Sequence, residues 1–209
     1  MNDSPVDAIG RLLGFSFAAG INLYATVAIL GLATRFGWVD LPPQYRVFDN
    51  NWIIGAAIVL YIVEFVADKI PWLDSLWDAV HTVVRPVGGA LIAVASIGHA
   101  QPTMRVVAAM AGAALATSTH VAKAGTRAMA NTSPEPFTNW GLSVAEDGFV
   151  LALGLLALTH PMAAGVVVVA GVVLIVAAAR WVVQRSLRRR RQGASRWTTK
   201  NGSRHSSRP

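Results

Sequence analysis

The chain has 209 residues, of which 54% are hydrophobic and only 14% charged, with a mean hydropathy of +0.47; a soluble domain carries about 25% charge, so an ordinary soluble fold is excluded. The formal net charge of +7 is a property of the end of the chain: residues 185–209 hold nine Lys/Arg and no acid, and residues 1–184 hold nine Lys/Arg against eleven Asp/Glu, a balance of −2. Cysteine is absent, which excludes a disulfide framework, a thiol nucleophile and Cys-ligated metal.

The opening MNDSPVDAIG lacks a basic flank and an obvious cleavage site, so the first apolar stretch is expected to be a retained span rather than a signal peptide. Leu12 to Thr34 runs 23 residues without a formal charge between Arg11 and Arg35, the length of one membrane helix. Two later stretches are too short by themselves. Only 11 residues separate Trp52 from Glu64, and 12 separate Asp147 from His160. At about 1.5 Å per residue neither crosses a hydrocarbon core of about 30 Å. Each must therefore draw acids to membrane depth, Glu64 in the first and Glu146-Asp147 in the second, or those acids must line a watery cavity or re-entrant element. Pro86 to Met104 and Val106 to Ala122 provide further spans of 19 and 17 residues. Residues 148–179 are uncharged for 32 residues, too many for one span; Thr159-His160-Pro161 suits a tight turn, with Pro161 opening a last helix to about Trp181.

The expected fold is thus an all-α polytopic membrane protein of about six transmembrane helices. It comprises a membrane domain over 1–184 and a basic, disordered tail over 185–209. The Arg-rich tail places both termini in the cytoplasm, and its expected contacts are the bilayer and anionic lipids. No nucleic-acid-binding fold accompanies it, and oligomeric assembly is left open. Trp38, Trp52, Trp72, Trp140 and Trp181 fall at span ends, as aromatic belts do.

Shifting the sequence by 92 residues lays AGINLYATVAILGLATR (19–35) over AGAALATSTHVAKAGTR (111–127), matching Ala19, Gly20, Leu23, Thr34 and Arg35. Two inverted three-helix repeats, as in many transporters, give such a match; so does chance similarity between two Ala/Gly-rich helices.

Two polar blocks carry the chemistry. In residues 64–86, Glu64 and Asp68 share a helix face, with Lys69 following. After Pro71, Asp74, Asp78, His81 and Arg85 stand at i, i+4, i+7 and i+11 on one stripe, predicting a short interfacial or re-entrant helix. In residues 119–147, His120, Lys123 and Arg127 form a second stripe, followed by Asn131, Glu135 in Ser-Pro-Glu-Pro, Asn139 and Glu146-Asp147. These residues are expected to line one cavity. The carboxylates Glu64, Asp68, Asp74, Asp78, Glu146 and Asp147 are the candidates for a divalent cation. Asp68, Lys69 and Arg85 also fit ordinary ion pairs at helix ends, and Asp74 and Asp78 a solvated face. Asn22 stands alone among apolar neighbours, suited to a hydrogen bond across helices.

The patterns EFxADKIPxxDxxWDxxHTxxRP, HxxKAGxRxxxNxSPEPFxN and SxxED, with GxNLYAT at Gly20 to Thr26, resemble the bacterial membrane family called domain of unknown function 4126. The resemblance covers roughly residues 10–160 and implies an integral protein of the bacterial inner membrane with no assigned activity. On the residues, the first expectation is a small transporter or channel-like permease for a cation or proton-coupled solute. A metal-dependent enzyme on a lipid phosphate and a structural or assembly protein are the alternatives.

Overall fold

A computed structural model of the chain describes residues 4–98, 100–130 and 136–205, with side chains described through Arg185 apart from Pro71 and Pro136. The described residues are helical and contain no strand. The helices are α1 (Pro5–Ile21), α2 (Leu23–Phe36), α3 (Asn51–Ala67), α4 (Pro71–Ile97), α5 (Pro102–Ala130), α6 (Pro136–Thr159) and α7 (Pro161–His205), with a 3-10 helix over Pro43–Phe48. By internal contacts the chain divides into two units, Met1–Ala170 and Gly171–Pro209. The second is the remainder of α7.

Start and stop signals account for the elements. Ser4 caps α1 by accepting from the Asp7 amide, with Pro5 at the first position, where a missing N–H costs nothing. Asn50 caps α3 through the Trp52 and Ile53 amides. Gly37 and Gly98 end α2 and α4 with φ of 60° and 57°, a left-handed region that glycine enters freely. Proline opens α4, α5, α6 and α7.

The stretch expected as the first span is two helices. Asn22, with φ −146° and ψ 100°, is a single extended residue between α1 and α2. The helices do not continue along one line: Gly14 on α1 lies against Ala157 of α6, and Ile29 on α2 against Gly154. Both arms therefore leave Asn22 toward the same end of α6. The far ends agree. Tyr45, just after α2, stacks edge-on against Phe15 of α1 with centroids 6.3 Å apart.

Two other expectations change. The helix expected as a separate short element after Pro71 is the first half of α4, a continuous 27-residue helix with Pro86 inside it. Pro86 withdraws one bond from the Thr82 carbonyl, a loss that long packed membrane helices tolerate. The tail expected to be disordered continues α7 as helix to His205. Leu187, the run of arginines and Gln192 are good helix formers extending a helix already nucleated.

The bundle centre is α1, α4 and α5. Leu12, Ala93 and Ala108 share a buried cluster with Leu13, Ile97 and Leu115 packed on it. Gly20 lies against Ala116 and Thr119, so α1 runs parallel to α5. Close approach rests on glycine: a methyl on Gly112 would collide with the Gly89 carbonyl of α4, and one on Gly20 with Thr119 Oγ1 and the Ala116 backbone. Small residues permit such contact where lipid supplies no hydrophobic drive between helices. Gly20→Val is accordingly expected to destabilise by about 1–3 kcal/mol through overpacking. A lower unfolding midpoint in detergent checks it, and an unchanged midpoint contradicts the contact.

The polarity is inverted relative to a soluble core. Arg85, Arg127, His81 and Glu64 are among the largest fully buried side chains, whereas Val63, Leu91, Met110, Leu151 and Val169 are exposed. The five tryptophans expected at interfaces are all more than half exposed. Among the described residues three helices are long and apolar enough to cross a membrane, over Trp72–Ile97, Phe137–Thr159 and Pro161–Arg185, and Leu23–Phe36 and Asn51–Ala67 are shorter apolar helices.

Candidate functional site

The two polar blocks meet. The stripe of α4 faces the stripe of α5, the end of α3 closes one side, and the middle of α6 closes the other. Arg85 Nη2 donates to Glu64 Oε1 at 2.7 Å, and its Nη1 lies 3.4 Å from Asp78 Oδ1. Lys123 Nζ sits 3.2 Å from both Glu64 Oε1 and Asp68 Oδ2 and 3.6 Å from Glu146 Oε2. Arg127 grips Glu146 in a fork, Nη2 to Oε2 at 2.6 Å and Nε to Oε1 at 3.2 Å. It also donates to Asp68 Oδ2 at 2.8 Å, and its Nη1 lies 3.5 Å from Asp74 Oδ1. Such charge-assisted forks are among the strongest and most directional of side-chain contacts.

Asp74, Asp78, Asp68 and Arg85 are thus buried network members rather than solvated charges. Lys69 stands apart, donating to the Phe65 carbonyl at 2.8 Å and lying 3.1 Å from the centroid of that ring. Asn139 is buried on α6. Asn131 and Glu135 lie outside the described residues, as does His99. Glu64 and Glu146-Asp147 fall inside α3 and α6, where span length required them.

The histidines are fixed by their partners. A guanidinium has no acceptor, so His120 Nδ1 must accept from Arg85 Nη1 at 2.6 Å and the ring is neutral there. Its Nε2–H then donates to Thr82 Oγ1 at 3.1 Å, and Thr82 donates to the Asp78 carbonyl at 3.0 Å. His81 Nδ1–H donates to the Trp77 carbonyl at 2.7 Å, which leaves Nε2 to accept from the Tyr24 hydroxyl at 3.0 Å.

Of the carboxylates expected to bind metal, all but Asp147 are held by cationic side chains. Among the described residues no three His, Asp or Glu side chains are grouped to hold a metal ion. Arg85, Lys123 and Arg127 hold Glu64, Asp68, Asp74, Asp78 and Glu146 at ion-pair distance. The same contacts occupy the two cations that a phosphate clamp would need.

The sequence singled out Asn22 as a hydrogen-bonding residue across helices but not as the point where the helix breaks. Asn22 Nδ2 donates to Asp147 Oδ1 at 3.0 Å while its Oδ1 caps α2 through the Ala25 amide at 2.9 Å. The carbonyl of Ile21, at the end of α1, accepts from Lys123 Nζ at 3.2 Å. The negative end of α1 therefore meets an ammonium, and the positive end of α2 meets a carboxylate. The available signal was one cap-forming residue inside an apolar run. Three buried carboxylate oxygens have no hydrogen-bond partner: Glu64 Oε2, Asp68 Oδ1 and Asp147 Oδ2.

Helices with an apolar outside, buried ions inside and a helix broken beside those ions define a polytopic α-helical protein of membrane type. The chain belongs to the family described as Domain of unknown function (DUF4126), whose model matches residues 9–182. No curated protein and no solved structure matches the chain.

Proposed function

We propose that the protein is a small membrane transporter for a cation or a proton-coupled solute, with its site where α1 and α2 meet. The observation that carries this is the break at Asn22, whose two half-helix ends face opposite charges, Lys123 and Asp147. Broken helices of this kind bring fixed partial charges to the bilayer midplane without exposing unpaired backbone to lipid. Charge balance supports it. Glu64, Asp68, Asp74, Asp78, Glu146 and Asp147 outnumber Lys69, Arg85, Lys123 and Arg127 by six to four. The three unpartnered carboxylate oxygens are acceptors that a cation or a proton satisfies. A cavity of about 290 Å³ between α4 and α5, lined by Asp74, Asp78, Thr82, His120 and Arg127 among others, gives the network a route to water.

In this reading α3 to α7 cross the bilayer, and α1 with α2 enters and leaves from one side, which makes five crossings and not six. The span Pro161–Arg185 runs into the Arg-rich tail, which lies in the cytoplasm against anionic lipid headgroups. The His160 turn is then outside. Gly10 lies against Pro161, so the start of α1 is outside too, in place of the cytoplasmic N-terminus expected from six spans. The membrane is the bacterial inner membrane.

The test is flux in proteoliposomes under an imposed pH or sodium gradient, read with entrapped dyes. Asp147→Asn keeps the size of the side chain and its bond from Asn22 but removes the charge. It is expected to lower flux at least about tenfold while elution and helix content stay as in wild type, since an intramembrane carboxylate of this kind is a functional group by default. Unchanged flux in Asp147→Asn, or none in the wild type with protons, sodium or potassium, sinks the reading.

A further inference from the structure

Outside the ionic network, a cavity of about 620 Å³ between α2, α3 and α6 has no role yet. Its wall is almost wholly apolar, with Ala25, Ala28, Leu32, Ile58 and Leu151 among the lining residues. Three aromatic side chains, Trp38, Tyr61 and Phe65, line it as well, and Asp147 is the one charged residue in the lining. A volume of this size suits a small organic molecule. An acyl chain would fill the apolar part and leave the buried Asp147 Oδ2 without a hydrogen-bond partner, which is costly. A hydrophilic metal ion would satisfy Asp147 but not the wall. What satisfies both is a bulky, hydrophobic cation: aromatic faces attract a diffuse positive charge, and the carboxylate neutralises it.

We propose that this cavity binds a lipophilic organic cation, a quaternary ammonium or phosphonium with aromatic or alkyl substituents, which enters between α2, α3 and α6 and pairs with Asp147. This names the substrate class of the transport reading and rests on it. The position of Asp147 ties the cavity to the broken helix. Its Oδ1 is held by Asn22 Nδ2 at 3.0 Å, and its Oδ2 is buried without a hydrogen-bond partner. A cation arriving there competes for the carboxylate that tethers α2, so occupancy and the geometry at Asn22 are coupled. The residues that shape the cavity, Ala25 and Ala28 on α2 with Val144 and Gly148 on α6, are small on the two helices that the Asn22–Asp147 bond joins.

The experiment uses the full chain in phosphatidylcholine nanodiscs and tetraphenylphosphonium as probe, measured by equilibrium dialysis against empty discs. Saturable binding is expected. Asp147→Asn should weaken it more than about tenfold, as removal of one partner of a desolvated charge pair does. Ala28→Phe, which fills the cavity and leaves every ionic contact in place, should weaken it comparably; Leu32→Trp is the second filling variant if the first elutes as aggregate. Tetraphenylborate, of the same shape and opposite charge, should not be retained above empty discs. The proposal is overturned by wild-type binding that does not saturate, by equal retention of tetraphenylborate, or by full affinity in both filling variants. Proton or sodium flux that persists without tetraphenylphosphonium binding removes this cavity's role and leaves the transport reading standing. Saturable, Asp147-dependent binding in a protein that moves no ion supports the cavity and removes the transport reading instead.

Discussion

Arg85→Met is expected to cost about 3–5 kcal/mol of folding free energy, the range for removing one partner of a buried ion pair. Arg85 is fully buried, and it bonds Glu64, Asp78 and His120. Methionine fills much of the same volume, so the loss is electrostatic rather than a cavity. Glu64 keeps Lys123 at 3.2 Å, whereas Asp78 loses its ion-pair partner. Arg85→Lys should fall between, because an ammonium cannot reach Glu64, Asp78 and His120 in one plane. The decisive comparison is the double variant Arg85→Met with Glu64→Gln. Removing both charges leaves less uncompensated charge than removing the arginine alone, so the pair should recover about 1–3 kcal/mol relative to additivity. Reversible unfolding in mixed micelles measures all four corners of the cycle. Strict additivity would falsify the direct pairing of Arg85 with Glu64.

How much of this was visible in the sequence depends on which distances a sequence fixes. The stripe Asp74, Asp78, His81 and Arg85 was legible because one helix sets its own geometry, and α4 presents those four residues as their spacing requires. The placement of Glu64 and Asp147 within apolar helices was legible from length arithmetic. Pairings across helices were not. Glu64 to Lys123 spans 59 residues and Asn22 to Asp147 spans 125, and nothing local selects those partners. The break at Asn22 was hidden for a different reason. The 23 uncharged residues around it match one span in length and hydropathy, and two half-helices with apolar faces have the same composition as one helix. The continuity of α4 was obscured by Pro86, which reads as a helix start although a packed membrane helix carries it internally.

That break is also where function is most exposed to a single substitution. Asn22→Ala is expected to reduce flux to the level of empty liposomes. The alanine removes two bonds at once, the cap on the Ala25 amide and the tether to Asp147. Loss of the cap costs about 1 kcal/mol, and a hydrogen bond to a carboxylate is worth about 1.5–3 kcal/mol. Alanine also favours helix at the one position that must stay extended, so the change weakens the corner as well as its partners. Asn22→Ser separates the contributions. A serine hydroxyl caps a helix nearly as well but is too short to hold Asp147 in the same place, so this variant should fold closer to wild type and still lose most of its flux. If Asn22→Ser transports normally, the tether is structural and the site lies elsewhere in the network. If it folds as poorly as Asn22→Ala, the Asp147 bond rather than the cap holds the corner. The first result refutes the role given to the break. The second leaves that role intact and shifts the weight onto Asp147, whose partner α2 presents by way of one residue out of helical conformation.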